Sequence, residues 1–277
     1  MKRQFGNLSD AIILTTVPVV ADIPDVIGAG RWVYYCVDDF SAWPGLDAAP
    51  MQEMEEKLVR RADLLIAAGE NLAERLGVLG RRAEVLTHGI DLEHWVGAKG
   101  DTSLLNGLPE PIVLFWGLVD RRLDMDMLAA LDRAMQSGCI ALIGPQQDPD
   151  PRLARMPRVR LMGPASYADL PALAQRAAVL VMPYADLPVT RAMQPLKLKE
   201  YLATGRPTVV SRLPATRDWE DCMDVALSHD QFAAQVLARI DAQTPASQLN
   251  ARSRLRAEAW KSKSERMAQL LFCQSNS

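Results

Sequence analysis

The sequence predicts an α/β protein made of two Rossmann-like domains, of which the N-terminal one is incomplete. Two observations predict this fold class. Short apolar runs alternate with helical patterns along the chain, as expected for parallel strands that are buried on both faces and covered by helices. The interval from Asp91 to Pro111 is rich in glycine and polar residues and separates two groups of runs. With 277 residues, the chain can bury two separate cores.

The apolar runs are candidate strands, four before the interval and six after it. In chain order they read AIILTT, WVYYC, ADLLIAA, AEVLT, IVLFWG, CIALIG, VRLMG, VLVMP, PTVVS and DVALS. The second group suffices for a complete nucleotide-binding sheet. The first group lacks an opening strand, glycine-rich loop and helix, since nothing of that kind precedes Ala11. We therefore expect the chain to begin partway into the N-terminal domain.

The predicted division of the chain has four parts. Residues 1–95 form the partial N-terminal domain, 96–110 a linker, 111–246 the C-terminal domain and 247–277 a final helix. Between Ala251 and Leu271 the final helix carries six Lys or Arg residues against two Glu. A solvated helix face explains this surplus, and peripheral contact with anionic lipid or with a phosphorylated acceptor is the alternative.

Composition argues against several classes of protein. The net charge of -3 gives no reason to expect a nucleic-acid partner, which usually requires a basic domain. No apolar run approaches the ~18 residues needed to cross a bilayer. The cysteines have no C-x-x-C or other metal-site spacing, which predicts reduced thiols, no metal and a cytoplasmic location; they are Cys36, Cys139, Cys222 and Cys273.

The segment from Leu180 to Pro214 is the most informative part of the sequence. It predicts a buried strand, a loop, a helix opened by Pro195 and closed by Gly205, and a further strand. In such a unit the helix N-terminus lies at the carboxyl edge of the sheet, where unpaired N–H groups and the helix dipole attract an anion such as a diphosphate. Glu200, about one turn inside, can reach the hydroxyls of an attached ribose.

This pattern resembles the donor-nucleotide site of retaining GT-B glycosyltransferases of the group 1, family 4-like type, which carry a Glu, seven residues, Glu signature. Glu200 matches the second Glu of the signature. Ala192 stands where the first Glu, which contacts the transferred sugar, is expected. The resemblance therefore leaves the donor-sugar contact to other residues of this loop, and the candidates are Asp186, Thr190 and Arg191.

The resemblance also implies which residues contact the donor diphosphate. In the family a small residue after the first strand of the C-terminal domain precedes an Arg and a Lys; here Gly117 is followed by Arg121 and Arg122. Asp124 lies near the place of the expected Lys. An ion pair between either arginine and a neighbouring aspartate is the alternative interpretation.

Further donor contacts are expected from the helix and from the loop before it. Lys197 and Lys199 point to different sides of a helix, so one of them at most can face the ligand with Glu200, and Lys197 is nearer the helix start. The backbone of Leu198 belongs to the anion-binding first turn. Gly163 opens a loop that resembles the base-contacting segment of the family.

On the acceptor side, Asp38 and Asp39 follow the strand WVYYC, where many of these enzymes read His-Asp. Ligands of α/β sheets bind at such strand ends, so we predict a catalytic or acceptor-binding role, with a hydrogen-bonded loop cap as the alternative. His88 and Asp91 lie in a turn that resembles the end of the family's N-terminal domain, and Asp91 is expected to cap it.

The function implied by the resemblance is transfer of a sugar from a UDP- or GDP-sugar to an acceptor with retained configuration, without a metal or other cofactor. The acceptor is expected to be a glycan or a lipid-linked molecule, as in the synthesis of cell-surface polysaccharides. The N-terminal domain would serve the acceptor, 111–246 the nucleotide sugar, and the final helix would cross back to the N-terminal domain. Two alternatives are a GT-B-fold epimerase of nucleotide sugars and a non-catalytic protein that binds them.

Overall fold

A computed structural model describes residues 8–28, 30–43, 45–193 and 196–272. This part of the chain contains ten strands, one at each predicted apolar run. They are β1 (Ile12–Thr15), β2 (Arg31–Cys36), β3 (Leu64–Ala67), β4 (Glu84–Val85), β5 (Ile112–Trp116), β6 (Cys139–Ile143), β7 (Val159–Gly163), β8 (Val179–Met182), β9 (Thr208–Ser211) and β10 (Asp224–Ala226). All neighbouring strands pair in parallel, which confirms the predicted α/β class.

Helices connect the strands. They are α1 (Ala48–Arg61), α2 (Glu70–Val78), α3 (Leu92–Val96), α4 (Met125–Ala134), α5 (Leu170–Arg176), α6 (Pro188–Ala192), α7 (Leu196–Ala203), α8 (His229–Ile240), α9 (Ala246–Ala251) and α10 (Trp260–Phe272). Short 3-10 turns occur between them, including Phe40–Ala42 after β2 and Tyr167–Asp169 before α5. Parallel strands require such crossovers, because a tight hairpin can join antiparallel strands alone.

The chain divides into two compact units, one that runs to Gly89 and resumes at Trp260, and one that spans Ile90–Arg191 and continues to Ala259. In the first unit, β1, β2, β3 and β4 follow one another across a four-stranded sheet. Helix α10 covers one face of this sheet, where Met267, Leu270 and Leu271 pack against Val33 and Ile66. The last helix thus returns to the N-terminal sheet.

The second unit is built on a six-stranded sheet in the order β10-β9-β8-β5-β6-β7. The chain starts in the centre at β5, builds outward to β7, and returns to β8 on the other side of β5. This is the doubly wound arrangement of nucleotide-binding domains. Strands β5, β6, β8 and β9 are buried along their whole length, which explains why they read as continuous apolar runs.

The unit boundaries differ from the predicted division at two places. The predicted first domain included α3, but Trp95 of this helix is fully buried in the second unit and stacks on Trp116. The predicted final helix began at residue 247, but Arg252 belongs to the second unit, where it donates to the carbonyls of Cys222 and Arg206. The first boundary was predicted from composition and the second from helical spacing and resemblance, and none of these reports the side-chain contacts.

Candidate functional site

The candidate site lies at the carboxyl edge of the second sheet. Strands β5 and β8 are neighbours there, and their connections leave in opposite directions. Doubly wound sheets bind ligands in the crevice outside this switch point. Three segments meet at the edge: the turn after β5, the loop after β8, and the first turn of α7, which precedes β9.

Gly117, the first residue after β5, allows a side chain to approach the backbone closely. Its φ of +140° is rare for residues with a side chain, and a Cβ atom at this position would collide with Nζ of Lys197. Its N–H donates to the carbonyl of Ile143 at the end of β6 at 2.9 Å, which fixes the turn. The glycine therefore provides the space that the ammonium group of Lys197 occupies.

Lys197 lies in the first turn of α7 and is held among aromatic rings. Its Nζ atom donates to the hydroxyl oxygen of Tyr184 at 2.5 Å and lies 4.7 Å from the ring centre of Phe115. Burial, reinforced by the positive charge of Arg122, lowers the pKa of Lys197 to about 7. The nearby carboxylates of Glu200 and Asp120 oppose this decrease. The site thus holds an ammonium group that an anion would stabilise.

Arg122 is the second cation of the cluster. Its Nε donates to Asp120 at 2.8 Å, and its guanidinium lies 5.8 Å from the ring centre of Tyr184. Arg122 and Lys197 therefore contact the same tyrosine, from the turn after β5 and from α7. Two cations, one of them in the first turn of a helix, suit two phosphate groups, although an incoming phosphate must compete with Asp120.

Glu200 lies in α7, one turn beyond the cluster's lysine, and it is half-buried. The indole Nε1 of Trp116 donates to Oε2 of Glu200 at 3.2 Å. Burial raises the pKa of Glu200, while the Trp116 bond and the positive charge of Lys197 act against the increase. The hydrogen bond orients the carboxylate and leaves the second oxygen atom available to accept bonds from a ligand.

Aromatic side chains hold Trp116 and line the surroundings of Glu200. The rings of Trp116 and Trp95 are stacked, with centroids 5.4 Å apart and planes within 6°. His94 stacks on Tyr167 at 4.2 Å, and the negative charge of Glu200 helps to raise the pKa of Tyr167, after burial. Because α3 supplies two of these rings, it contributes to the candidate site.

Several predicted donor-site residues lie in this cluster or at its edge. The structure brings together Gly117, Arg122, Lys197 and Glu200. Lys199 points elsewhere and pairs with Glu258 at 2.5 Å. The side chain of Leu198 is buried in the core, which leaves its backbone N–H to contact a ligand. Pro195 lies outside the described residues.

Arg121 is separated from its neighbour Arg122. Its exposed guanidinium pairs with Asp148, in the loop after β6, at 3.0 Å. Gly163, at the end of β7, has a φ of +71° and accepts a hydrogen bond from the N–H of Gly144 at 2.7 Å. The structure shows no contact of Arg121 or Gly163 with Lys197 or Glu200. Their donor roles remain predictions.

The predicted donor-sugar residues have other partners. Thr190 is completely buried, and its hydroxyl donates to the carbonyl of Ala185 at 2.5 Å and accepts from the N–H of Leu187 at 2.9 Å. The prediction for Thr190 is therefore wrong, since its hydroxyl closes its own loop. Asp186 and Arg191 form an exposed ion pair at 2.5 Å, which a sugar would have to open.

In the first unit, Asp38 and Asp39 differ in their surroundings. Asp39 caps the turn Phe40–Ala42 by accepting from the N–H of Ser41 at 3.1 Å, and Arg75 lies 3.2 Å from the same oxygen. This is the alternative role considered from the sequence. Burial raises the pKa of Asp38, which accepts from the N–H of Asp39 at 2.8 Å; a hydrogen bond from Trp43 and the charge of His88 counteract the increase.

The remaining predictions concern caps, metals and membranes. Asp91 accepts from the N–H of His94 at 3.2 Å and caps α3, as predicted. Within the described ranges, no group of three or more His, Cys, Asp or Glu residues is arranged to hold a metal ion. Cys36, Cys139 and Cys222 are buried thiols, and Cys273 lies outside the described residues.

A separate observation concerns membranes. Among the helices that the structure describes, none has both the length and the hydropathy required to span a bilayer.

Sequence reasoning missed the aromatic residues of the site. Trp116 was interpreted as part of the strand IVLFWG, His94 had no partner at ligand spacing, and Tyr184 and Tyr167 were not predicted as site residues. Trp116 is the last residue of β5 and Tyr184 follows β8 by two residues, so both stand at strand ends. That position is the signal that could have indicated them.

Comparison with known proteins gives two sequence matches. Residues 110–241 match the family described as Glycosyl transferases group 1. The chain is also 27% identical over 176 residues to TuaH of Bacillus subtilis strain 168, which is named as a glycosyltransferase of teichuronic acid biosynthesis. That match covers 60% of this chain and 44% of TuaH. The chain thus spans less than half of this curated relative.

Solved structures share the fold. Anabaena HepE in complex with UDP superposes with a TM-score of 0.75 at 16% identity, covering 94% of this chain and 78% of HepE. Sucrose-phosphate synthase from Thermosynechococcus elongatus gives a TM-score of 0.73 at 19% identity, covering 98% of this chain and 74% of the synthase. These matches confirm the GT-B fold that the sequence indicated.

Proposed function

Because residues 110–241 match the family described as Glycosyl transferases group 1, we propose that this chain transfers a sugar from a nucleoside diphosphate sugar to an acceptor. One observation carries the proposal: the clustering of Lys197, Arg122 and Glu200 at the switch point of the second sheet. Each has a role in the binding of such a donor.

The two cations and the first turn of α7 bind the diphosphate. An ammonium group and a guanidinium donate charge-assisted hydrogen bonds to phosphate oxygens, and the helix N-terminus adds a partial positive charge. These groups also stabilise the negative charge that grows on the diphosphate as the glycosidic bond breaks. Neutralising this charge makes the diphosphate a better leaving group, so the same contacts promote both binding and the reaction.

Glu200 binds the ribose. A carboxylate accepts two hydrogen bonds from neighbouring hydroxyls. Glu200 lies one turn beyond Lys197, just as the ribose lies next to the diphosphate in the donor. Tyr167 and His94, beside Glu200, would lie near the base. UDP is the favoured nucleotide, because HepE, which shares the fold, was solved with UDP and with UDP-glucose.

The finer features of the reaction are also part of the proposal. Transfer retains the anomeric configuration and needs no metal or other cofactor, since the cations of the site neutralise the diphosphate. The leaving phosphate takes the acceptor proton on the same face of the sugar, so no enzymic nucleophile is required. Asp38, half-buried at the end of β2, is the candidate for binding acceptor hydroxyls.

The acceptor class follows from the relatives. TuaH supports a glycan or lipid-linked acceptor in the synthesis of a cell-surface polysaccharide. A cytoplasmic location with peripheral membrane contact fits such an acceptor, and we keep it as a prediction. An epimerase or a non-catalytic binding protein would use the same donor site, so the experiment must separate the three functions.

The test is incubation of the chain with UDP-glucose, UDP-N-acetylglucosamine or a GDP-sugar, with and without glycan and lipid-linked acceptors. Release of UDP that depends on the acceptor, and a product whose anomeric configuration matches the donor by NMR, support the proposal. An epimerised donor without acceptor indicates an epimerase. Binding without turnover indicates a binding protein, and absence of binding to every nucleotide contradicts the donor site itself.

A further inference from the structure

We propose that Tyr184 is a positioning residue of the donor site, whose hydroxyl holds the ammonium group of Lys197 beside Gly117 for contact with the diphosphate. The inference rests on the proposed function and adds a residue that the sequence did not indicate. Tyr184 is almost completely buried, with 2% of its surface exposed. A buried hydroxyl directed at a partly buried cation constrains that cation to one place.

The hydrogen bond of Lys197 is unusual because its acceptor is neutral. Among the described residues, no carboxylate lies within ion-pair distance of its Nζ atom, and Tyr184 provides the hydrogen bond at 2.5 Å. An ammonium group has three N–H donors, so two remain for a ligand. A carboxylate in place of Tyr184 would neutralise the lysine and repel a diphosphate. The neutral hydroxyl positions the cation without neutralising it.

The ring of Tyr184 is fixed by its packing. It stands perpendicular to that of Phe115, with centroids 6.0 Å apart. The ring of Phe115, whose centre lies 4.7 Å from Nζ of Lys197, also attracts the ammonium group. At the end of β8, Ser211 accepts from the N–H of Tyr184 at 3.1 Å, which anchors the tyrosine to β9. Packing and hydrogen bonding together leave the side chain little freedom.

The charged groups around Lys197 determine how pH acts on this arrangement. Arg122, from the turn after β5, lowers the pKa of Lys197, while Asp120 of the same turn and Glu200 of α7 raise it. Burial has the largest effect, and the pKa is about 7. The unliganded lysine is therefore mostly charged at pH 6 and mostly neutral at pH 8. Binding of a diphosphate raises the pKa and takes up a proton, so affinity falls as pH rises through 7.

The experiment measures UDP affinity by calorimetry between pH 6 and pH 9 in the wild type, Tyr184→Phe, Lys197→Met and the double variant. Tyr184→Phe keeps the ring but removes the acceptor, which makes the buried charge harder to maintain. At pH 7.5 we expect UDP to bind Tyr184→Phe about tenfold more weakly than the wild type. The decrease of UDP affinity with rising pH should begin about one pH unit lower in the variant than in the wild type. In the double variant, Tyr184→Phe adds no further loss, because the hydroxyl acts through the lysine.

Tyr35→Phe is the matched control. Its hydroxyl also makes one partly buried hydrogen bond, to the carbonyl of Leu86 at 2.7 Å, but in the first unit. Equal thermal stability of the two Phe variants, with UDP affinity lost in Tyr184→Phe alone, supports positioning. A titration of Lys197 by NMR of 13C-labelled lysine, which needs no ligand, must show a lower pKa in Tyr184→Phe than in the wild type.

The outcomes separate the two proposals. Unchanged UDP affinity and an unchanged pH profile in Tyr184→Phe overturn the positioning role alone. The same holds if Tyr184→Phe lowers UDP affinity by the same factor in the Lys197→Met background as in the wild type. Absence of UDP binding by the folded wild type overturns the proposed function, and the positioning role with it.

Discussion

Replacement of Glu200 by glutamine tests the ribose contact with little disturbance of the fold. The amide oxygen of glutamine can still accept the hydrogen bond from Trp116, and the change removes a partly buried charge whose pKa burial has raised. The variant should therefore fold at least as stably as the wild type. Its effect on UDP binding then reports the carboxylate itself.

The magnitude follows from the bonds that are lost. A hydrogen bond to a charged group contributes about 1.5–3 kcal/mol, and a neutral one about 1 kcal/mol. Exchanging two charged bonds for one neutral bond costs about 2–5 kcal/mol net, which is at least about a 30-fold increase in the Kd of UDP. The Kd is measured by calorimetry at pH 6.5, where the structure predicts that Lys197 is mostly charged.

A modified ligand makes this test specific to the ribose. The wild type should bind 2′-deoxy-UDP more weakly than UDP, whereas Glu200→Gln should discriminate much less between them, since the partner of the 2′-hydroxyl is changed. A Kd for UDP within twofold of the wild type would refute the reasoning. So would full discrimination between the two ligands in the variant.

Three further predictions concern the same edge of the sheet. Gly117→Ala should reduce UDP affinity more than tenfold, because the new Cβ displaces Lys197. Gly107→Ala is the control for the backbone cost alone, since Gly107 has a φ of +76° and no atom lies within 4 Å of a new Cβ. That cost is ~1 kcal/mol or more and is measured by denaturant unfolding. Arg122→Ala should weaken UDP binding at least fivefold, because Arg122 contacts Tyr184 beside Lys197, whereas Arg121→Ala should change it less than twofold, because its exposed side chain pairs in the loop after β6; equal losses in calorimetry would contradict this distinction. Lys197→Met should raise the melting temperature at pH 6, where the wild type buries a charge. The increase should become smaller toward pH 9, because the wild-type lysine loses its proton. An increase that is independent of pH would argue against the lowered pKa of Lys197.

The strands could be predicted from the sequence because they are buried on both faces. Continuous apolar runs such as IVLFWG and VLVMP have little alternative in an α/β chain, and each lies where a strand was expected. The first turn of α7 and the position of Glu200 followed from the Pro–Gly punctuation around the helix and from the resemblance to a known signature. These are local properties of the sequence.

The partners of the site residues could not be predicted in the same way. Arg121 and Arg122 are neighbours in sequence, yet one pairs with Asp148 in the loop after β6 and the other lies over Tyr184. Thr190 has a polar side chain in a promising loop, but its hydroxyl is consumed by the backbone of that loop. Such assignments depend on contacts between residues far apart in sequence or on the conformation of a single loop. The spacing of residues along the sequence does not predict them.

A crystal structure of the chain with UDP tests the central claim most directly. We expect density for the diphosphate within hydrogen-bond distance of Nζ of Lys197, and for the ribose hydroxyls at the carboxylate of Glu200. UDP bound elsewhere, with no ligand atom in contact with Lys197 or Glu200, would contradict this proposal.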